Sequence, residues 1–182
     1  MANQSLILVD KNDEPRGTLE KLEVHRQGLL HRAFSIFIFN TKGELLLQQR
    51  ADDKYHSGGL WSNTCCSHPK FGEDIKVSIS KRLNEEMGLV CETTFAFSFV
   101  YKAELQNGLI EHEYDHVYFG TSDVTPKANT AEVKNWKYVG IEDLAEEIKN
   151  YPESFTEWMK ICLPRVAESL NTAFMEKKAN KA

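Results

Sequence analysis

The spacing of apolar positions changes several times along the chain, and each change predicts an element. Residues 5–10, Ser-Leu-Ile-Leu-Val-Asp, form a short apolar run stopped by the polar cluster 11–14 and Pro15, which predicts a strand followed by a turn. Residues 33–40 are rich in Ile and Phe, and Thr41-Lys42-Gly43-Glu44 separates them from the apolar run 45–50, so the pair reads as a hairpin with a four-residue loop. Residues 51–69 keep no period. They carry Gly58, Gly59, Trp61, two adjacent cysteines and His68-Pro69, which predicts a loop-like segment of the kind that bears sites on a rigid frame. Ile75, Ile79 and Leu83 then recur every four residues with Gly88 at the C′ position, predicting an amphipathic helix over 74–87. Strands follow over 93–104 and 110–121, joined at Asn107-Gly108, the strongest short-range hairpin signal. One more strand over 136–139 precedes helices over 141–149 and 154–178, the second bent at Pro164 and ending in a Lys/Ala/Asn tail expected to fray. With helices scattered among hairpins and neither repeats nor a linker, the pattern predicts an α+β fold in which helices pack on a mixed sheet. At 182 residues the chain has the size of one domain, 1–182.

Composition narrows the partners. With 41% hydrophobic and 27% charged residues, the chain is neither poor enough in core formers to be disordered nor rich enough for a membrane protein. The net charge of −5, from 22 basic and 27 acidic residues, provides no global field to attract nucleic acid or anionic lipid, so an anionic ligand requires a local basic cluster or a metal. The opening Met-Ala-Asn-Gln has no basic n-region and no long apolar run follows, which predicts a cytoplasmic protein. Cys65 and Cys66 are adjacent and would close a disulfide only with strain, which favours a thiol role.

Candidate chemistry concentrates in four places. In the strand from Ile110 to Phe119, period two puts Glu111, Glu113 and Asp115 on one face and His112, Tyr114 and His116 on the other. Same-face neighbours lie about 7 Å apart, close enough to share a cation or to act as a ligand and a proton carrier; a solvated polar face is the alternative. His25, His31 and His68 lie in segments without clear period. Imidazoles and carboxylates together suit a first-row divalent ion, although the spacing matches no dense His motif and lone histidines are more often surface or satisfied core residues. If residues 65–68 are extended, Cys66 and His68 point one way and Cys65 the other. Cys66 is then open to a role as ligand, nucleophile or proton donor, while Cys65 reads as a small buried hydrophobe. Glu85 and Glu86 crowd the last turn of the helix, against its dipole, and a local rule broken without a folding benefit marks a site. Lys21, Arg50, Lys54 and Arg82 are ordinary surface charges unless the fold gathers them into an anion clamp.

The segment Ser67-x5-Glu73-x7-Lys81-Arg82-Leu83-x-Glu85-Glu86-x-Gly88-Leu89 resembles the Nudix box. It departs from that box at Ser67, where a glycine is usual, at Lys81 in place of arginine, and at Arg82 in place of the first helix glutamate, which lowers the carboxylate count used in diphosphate hydrolysis. With Gly59-Leu60-Trp61-x-Asn63-x-x-Cys66-x-His68-Pro69 before the helix and Glu111-x-Glu113 after it, the chain is similar to the type I isopentenyl-diphosphate isomerase family of the Nudix superfamily, from Gly17-Thr18-Leu19-Glu20-Lys21 to Phe155-Thr156-x-Trp158-Met159. That resemblance implies a single Nudix-like α/β/α sandwich with an extra C-terminal helix. It implies one divalent ion (Mn2+, Zn2+ or Mg2+) on His25, His31, His68, Glu111 and Glu113, and an Mg2+ on Glu86 and the carbonyl of Cys66 that bridges to the substrate diphosphate. Cys66 and Glu113 correspond to the two catalytic groups, with Tyr101 supporting Glu113 and Trp158 facing the carbocation. Lys21, Arg50, Lys54 and Arg82 correspond to positions around the diphosphate. The expected partner is a small prenyl diphosphate, with no flavin, nucleic acid or membrane, acted on by a monomer or weak homodimer. Two alternatives stand beside this reading: a Nudix hydrolase of a nucleoside or prenyl diphosphate, and a non-catalytic metal or diphosphate binder.

Overall fold

Strand β3 (His31–Phe39) is the strand around which the others are arranged. The computed structural model describes residues 5–179. It pairs β3 along one edge, in parallel, with β8 (Ile110–Thr121), from His31 opposite Glu113 to Phe39 opposite Thr121. The other edge is shared in succession by three antiparallel partners: β1 (Ser5–Val9) at His31, β6 (Cys65–Ser67) from Phe34 to Ile36, and β4 (Leu45–Arg50) at Phe39. Beyond β1 lies β2 (Pro15–Glu20), β4 also pairs β5 (Trp61–Ser62) and β9 (Val133–Val139), and β8 pairs β7 (Thr93–Glu104), completing a nine-stranded mixed sheet.

Because both faces of β3 are covered, its sequence is apolar almost throughout, and period two divides it between two cores. Phe34, Ile36 and Ile38 pack with Ile79, Leu83 and Met87 of helix α2 (Ile75–Met87). Phe37 and Phe39 pack on the opposite face with Leu144 of α3 (Ile141–Asn150) and with Met159, Cys162, Leu163 and Val166 of α4 (Glu157–Ala179). Helices thus cover both faces, the expected α/β/α arrangement. The α2 helix starts where the Asp74 side chain accepts a hydrogen bond from the Lys76 N–H at 2.9 Å. It ends at Gly88, where φ is +63° and an added Cβ would lie 2.7 Å from Lys127 O, so that only glycine fits.

Several boundaries differ from the sequence expectation, for local reasons. Pro15 begins strand β2 instead of ending in a turn, and β2 runs into helix α1 (Lys21–Gln27), which is capped by the Glu20 carboxylate accepting from Glu23 N–H at 3.0 Å. His25 therefore sits on a helix. The loop-like segment 51–69 contains β5 and β6, too short to show a period of their own. Strand β9 begins at Val133 instead of 136, and α4 begins at Glu157 instead of 154, after a 3-10 turn at Pro152–Ser154, and runs on through Pro164. The β7–β8 hairpin turns where expected, with Asn107 and Gly108 at φ of 62° and 70°. Residues 180–182, the end of the tail expected to fray, lie outside the described residues. Among the described residues no helix is long and apolar enough to cross a membrane.

The fully buried Thr64 joins β3 to β4: its Oγ1 accepts from Ile38 N–H at 2.9 Å and donates to Leu46 O at 2.6 Å. Replacing it by the isosteric valine strands two backbone groups in the core. Thr64→Val is therefore expected to lower the unfolding free energy by about 1–3 kcal/mol for each stranded group, measured by denaturant titration, with Thr64→Ser losing much less.

Candidate active site

Burial along β8 alternates as period two requires, so Glu111, Glu113 and Asp115 share the α4-side face with Val117 and are at most 7% exposed. The solvated polar face is excluded. A carboxylate removed from water needs partners. Glu113 has three: its Oε1 lies 3.0 Å from His68 Nε2 and 3.4 Å from His31 Nε2, and its Oε2 accepts from Tyr101 Oη at 2.7 Å. The same Tyr101 hydroxyl is 3.1 Å from Glu111 Oε2. Burial, followed by the charge of Glu113, pushes Glu111 well above the usual carboxylate range. Burial acts on Glu113 in the same direction, but the imidazoles of His31 and His68 outweigh it and hold Glu113 below that range. The pair therefore divides into one protonated and one charged member. Asp115 accepts from Ser35 Oγ at 2.8 Å, its other oxygen is buried without a partner, and burial with the nearby Glu113 pushes it up to about 8.

Four elements deliver the histidines. Parallel pairing sets His31 opposite Glu113, α1 brings in His25, the chain leaving β6 brings in His68, and the turn before β5 brings in His56. His25 Nδ1 bonds Lys21 O at 2.7 Å and His31 Nδ1 bonds Leu29 O at 2.9 Å. These bonds orient the two rings, and the Nε2 atoms of His25 and His31 are buried with no hydrogen-bond partner, that of His31 facing Glu113. Burial pushes His68 down to about 3 and His56 down to about 2, so both stay neutral near pH 7 with lone pairs available. One ligand atom from each of His25, His31, His68 and Glu113 falls within 4.8 Å of all the others, a nitrogen-rich donor set that fits a first-row divalent ion. Glu111, expected in that same set, groups instead with His25 and His56, because the Tyr101 hydroxyl and the length of β8 hold it one step further along the strand.

Cys65 and Cys66 part as the strand alternation predicts. Cys65 packs under α2, whereas Cys66 lines a cleft of about 990 Å3 with His68, Tyr101, Glu111, Glu113 and Trp158. Burial pushes the Cys66 thiol up, keeping it protonated near neutral pH. The Cys66 sulfur lies 3.5 Å from Asn63 Oδ1, and Trp158 Nε1 donates to Ser62 Oγ at 2.8 Å.

Lys21, Arg50, Lys54 and Arg82 all line the cleft, together with Glu86. They differ in commitment. Lys54 bonds Glu132, and Arg82 bonds Glu86 and reaches Glu85 at 2.8 Å, which relieves the clash of those two carboxylates with the helix dipole. Glu86 also accepts from Gln48 Nε2 at 2.9 Å. Among the described residues, no carboxylate lies within ion-pair distance of Lys21 or Arg50. They rest over aromatic rings instead, Lys21 Nζ 5.2 Å from the centroid of Tyr55 and Arg50 Cζ 5.2 Å from that of Trp158. Sequence reasoning passed over His56, Tyr55 and Glu132; the Lys54-Tyr55-His56 run carries no spacing signal, and Glu132 enters the cleft only through the pairing of β9 with β4.

Residues 29–159 match the NUDIX domain. The chain is 50% identical over 163 residues to isopentenyl-diphosphate Delta-isomerase of Pectobacterium atrosepticum, covering 90% of this chain and 91% of that protein. It is 49% identical over 170 residues to isopentenyl-diphosphate Delta-isomerase 2 of Aromatoleum aromaticum, covering 92% and 90%. Among solved structures, the DR0079 protein of Deinococcus radiodurans superimposes with a TM-score of 0.75 at 20% identity over 89% of this chain and 98% of that one. The MutT protein of Methanosarcina mazei Go1 gives 0.64 at 17% identity over 76% and 94%. At such identities the structural likeness speaks for the fold, and the sequence likeness speaks for the subgroup: the chain belongs to the NUDIX family and, within it, to the isopentenyl-diphosphate Delta-isomerase family.

Proposed function

We propose that this protein interconverts isopentenyl and dimethylallyl diphosphate by adding one proton and removing another. The observation that carries the reading is a single cleft lined by two proton-handling groups, Cys66 and the Glu113–Tyr101 pair, and by four basic side chains. An isolated alkene is a very weak base, so shifting its double bond needs an acid, a base and a site that keeps water from the tertiary cation between them. In the forward direction one of these two groups, in its protonated form, protonates C4, the cation forms at C3, and the other, in its basic form, takes a proton from C2, so that atoms balance and nothing is oxidised or reduced.

The remaining side chains serve this exchange. His25, His31, His68 and Glu113, with Glu111 alongside, would hold one divalent ion (Mn2+, Zn2+ or Mg2+), and such an ion would supply fixed positive charge beside Glu113. Glu86 and the backbone carbonyl of Cys66 would hold an Mg2+, which supplies charge to the diphosphate. Tyr101 orients Glu113 through its 2.7 Å hydrogen bond. Lys21, Arg50, Lys54 and Arg82 would surround the diphosphate, the first two with no carboxylate of their own to satisfy. The ring of Trp158 already accepts the Arg50 cation on its face, which supports a role beside a carbocation worth about 2 kcal/mol or more when desolvated. Arg82 also argues against hydrolysis, because it stands where the box carries its first helix glutamate and so lowers the number of carboxylates on which that chemistry would load its metals. We take the substrate to be a small prenyl diphosphate turned over in the cytoplasm, without flavin, by a monomer or weak homodimer.

Incubation with isopentenyl diphosphate and Mg2+ in deuterated water is expected to yield the allylic isomer carrying deuterium, with no phosphate release. Phosphate without isomer would make the protein a hydrolase, and no turnover with a full metal supply would make it a binder. Cys66→Ala is expected to lose activity by about 100- to 10,000-fold while still binding substrate, and Cys65→Ala to stay active; an active Cys66→Ala enzyme would show that the wrong thiol was chosen. Titration calorimetry should find Mn2+ or Zn2+ binding weakened at least about tenfold in His31→Ala, a loss no smaller than that for an outer-shell partner, and equal affinity in the variant would remove His31 from the ligand set.

A further inference from the structure

Asn63 is fully buried beside β5, and its amide is fixed from behind: Nδ2 donates to Ile36 O at 3.1 Å and to Cys65 O at 3.0 Å. These bonds settle the direction of the amide, since the reversed group would set its oxygen against two carbonyls. The oxygen Oδ1 is thereby turned toward the two side chains that line the cleft, accepting from Trp158 Nε1 at 3.2 Å and from Cys66 Sγ at 3.5 Å. Ser62 completes the arrangement. Its hydroxyl donates to Asn63 Oδ1 at 2.9 Å, accepts from Trp158 Nε1 at 2.8 Å, and lies 3.8 Å from Cys66 Sγ. Neither Ser62 nor Asn63 lines the cleft itself.

We propose that Asn63, aided by Ser62, is a positioning residue that fixes the Cys66 thiol and the Trp158 ring relative to each other through one shared acceptor oxygen. The role rests on the assignment of Cys66 and Trp158 to the reacting face. Strand pairing of β6 with β3 places the Cys66 backbone but leaves its S–H free to rotate, and a tryptophan on a helix can turn about its own side-chain bonds. An acceptor common to both removes that freedom, and a displacement of about 1 Å at a reacting centre costs on the order of 100-fold in rate.

The test uses the full chain, with isomerisation kinetics and the indole 1H–15N resonance of Trp158 as independent readouts. Ser62→Ala is expected to lower kcat about tenfold, the worth of one buried hydrogen bond, with KM changed by less than about twofold. Asn63→Ala is expected to lower kcat about 100-fold. The Trp158 resonance should shift in both variants while that of Trp136 stays, and Ser62→Thr, which keeps the hydroxyl, should restore both kcat and resonance. If Asn63→Ala fails to fold because Ile36 O and Cys65 O lose their donor, the Ser62 pair decides. Full kcat in Ser62→Ala, or a loss that only tracks the folded fraction, overturns the positioning role. An active Cys66→Ala enzyme would instead overturn the catalytic assignment on which it rests, so the two failures are distinct.

Discussion

Three carboxylates buried on one face of one strand are the constraint to which the rest of this structure answers. Glu111, Glu113 and Asp115 stand where a strand in an α/β/α sandwich would ordinarily carry Val or Ile, and each removed from water is a liability of several kcal/mol unless neutralised or paired. Every neighbouring element contributes to the compensation. The parallel register of β3 and β8 brings His31 to Glu113, β7 brings Tyr101 to Glu113 and Glu111, β6 leads to His68, and β3 supplies Ser35 to Asp115. Where partners fall short, protonation makes up the difference: burial keeps Glu111 and Asp115 neutral, leaving charge on Glu113 alone. A chain selected for stability alone would not build this, which is why the departure from local rules coincides with the site.

The same face changes character along its length. At one end of β3 and β8 it is His31, Glu113 and Asp115; at the other it is Phe37, Phe39 and Val117, packed under α4. The apolar end anchors α4 at the position that carries Trp158 down onto Ser62 and Asn63, so packing in one half of the face sets the geometry of chemistry in the other. Alternation along β6 applies the same logic on a shorter scale. Cys65 belongs to the core beneath α2 and Cys66 to the cleft, and two identical side chains in adjacent positions differ only in which way the pleat turns them.

What could be read from the sequence was what depends on neighbours in sequence. The turn chemistry of Asn107-Gly108, the four-residue spacing of Ile75, Ile79 and Leu83, and the carboxylate face of β8 are local patterns, and each appears in the fold where expected. Helix α1 did not appear because it is only seven residues long and is held by a glutamate cap and by packing instead of by an amphipathic repeat. Strands β5 and β6 are too short for any period and exist because β4 and β3 offer them edges. The meeting of His31 with Glu113 is a parallel, non-local pairing that no local pattern encodes, and only the family resemblance joined them in advance. His56 had neither a local signal nor a place in that resemblance, yet the fold sets it beside Glu111.

Charge shows how an acidic protein holds an anion. With a net charge of −5 the whole molecule repels a diphosphate, so the attraction must be local and must survive the carboxylates that surround it. The four basic residues of the cleft divide this task. Lys54 and Arg82 are bound to Glu132, Glu85 and Glu86, which fixes their positions but spends part of their field on those partners. Lys21 and Arg50 have aromatic rings for neighbours instead, and a ring face steadies a cation without neutralising it. Burial lowers the affinity of Lys21 for its proton, as does the nearby Arg50, so an arriving anion stabilises both charges at once. The cleft therefore keeps two cations poised and two anchored, and one of the poised pair, Arg50, rests on the ring of Trp158 that lines the cleft with Cys66 and Glu113.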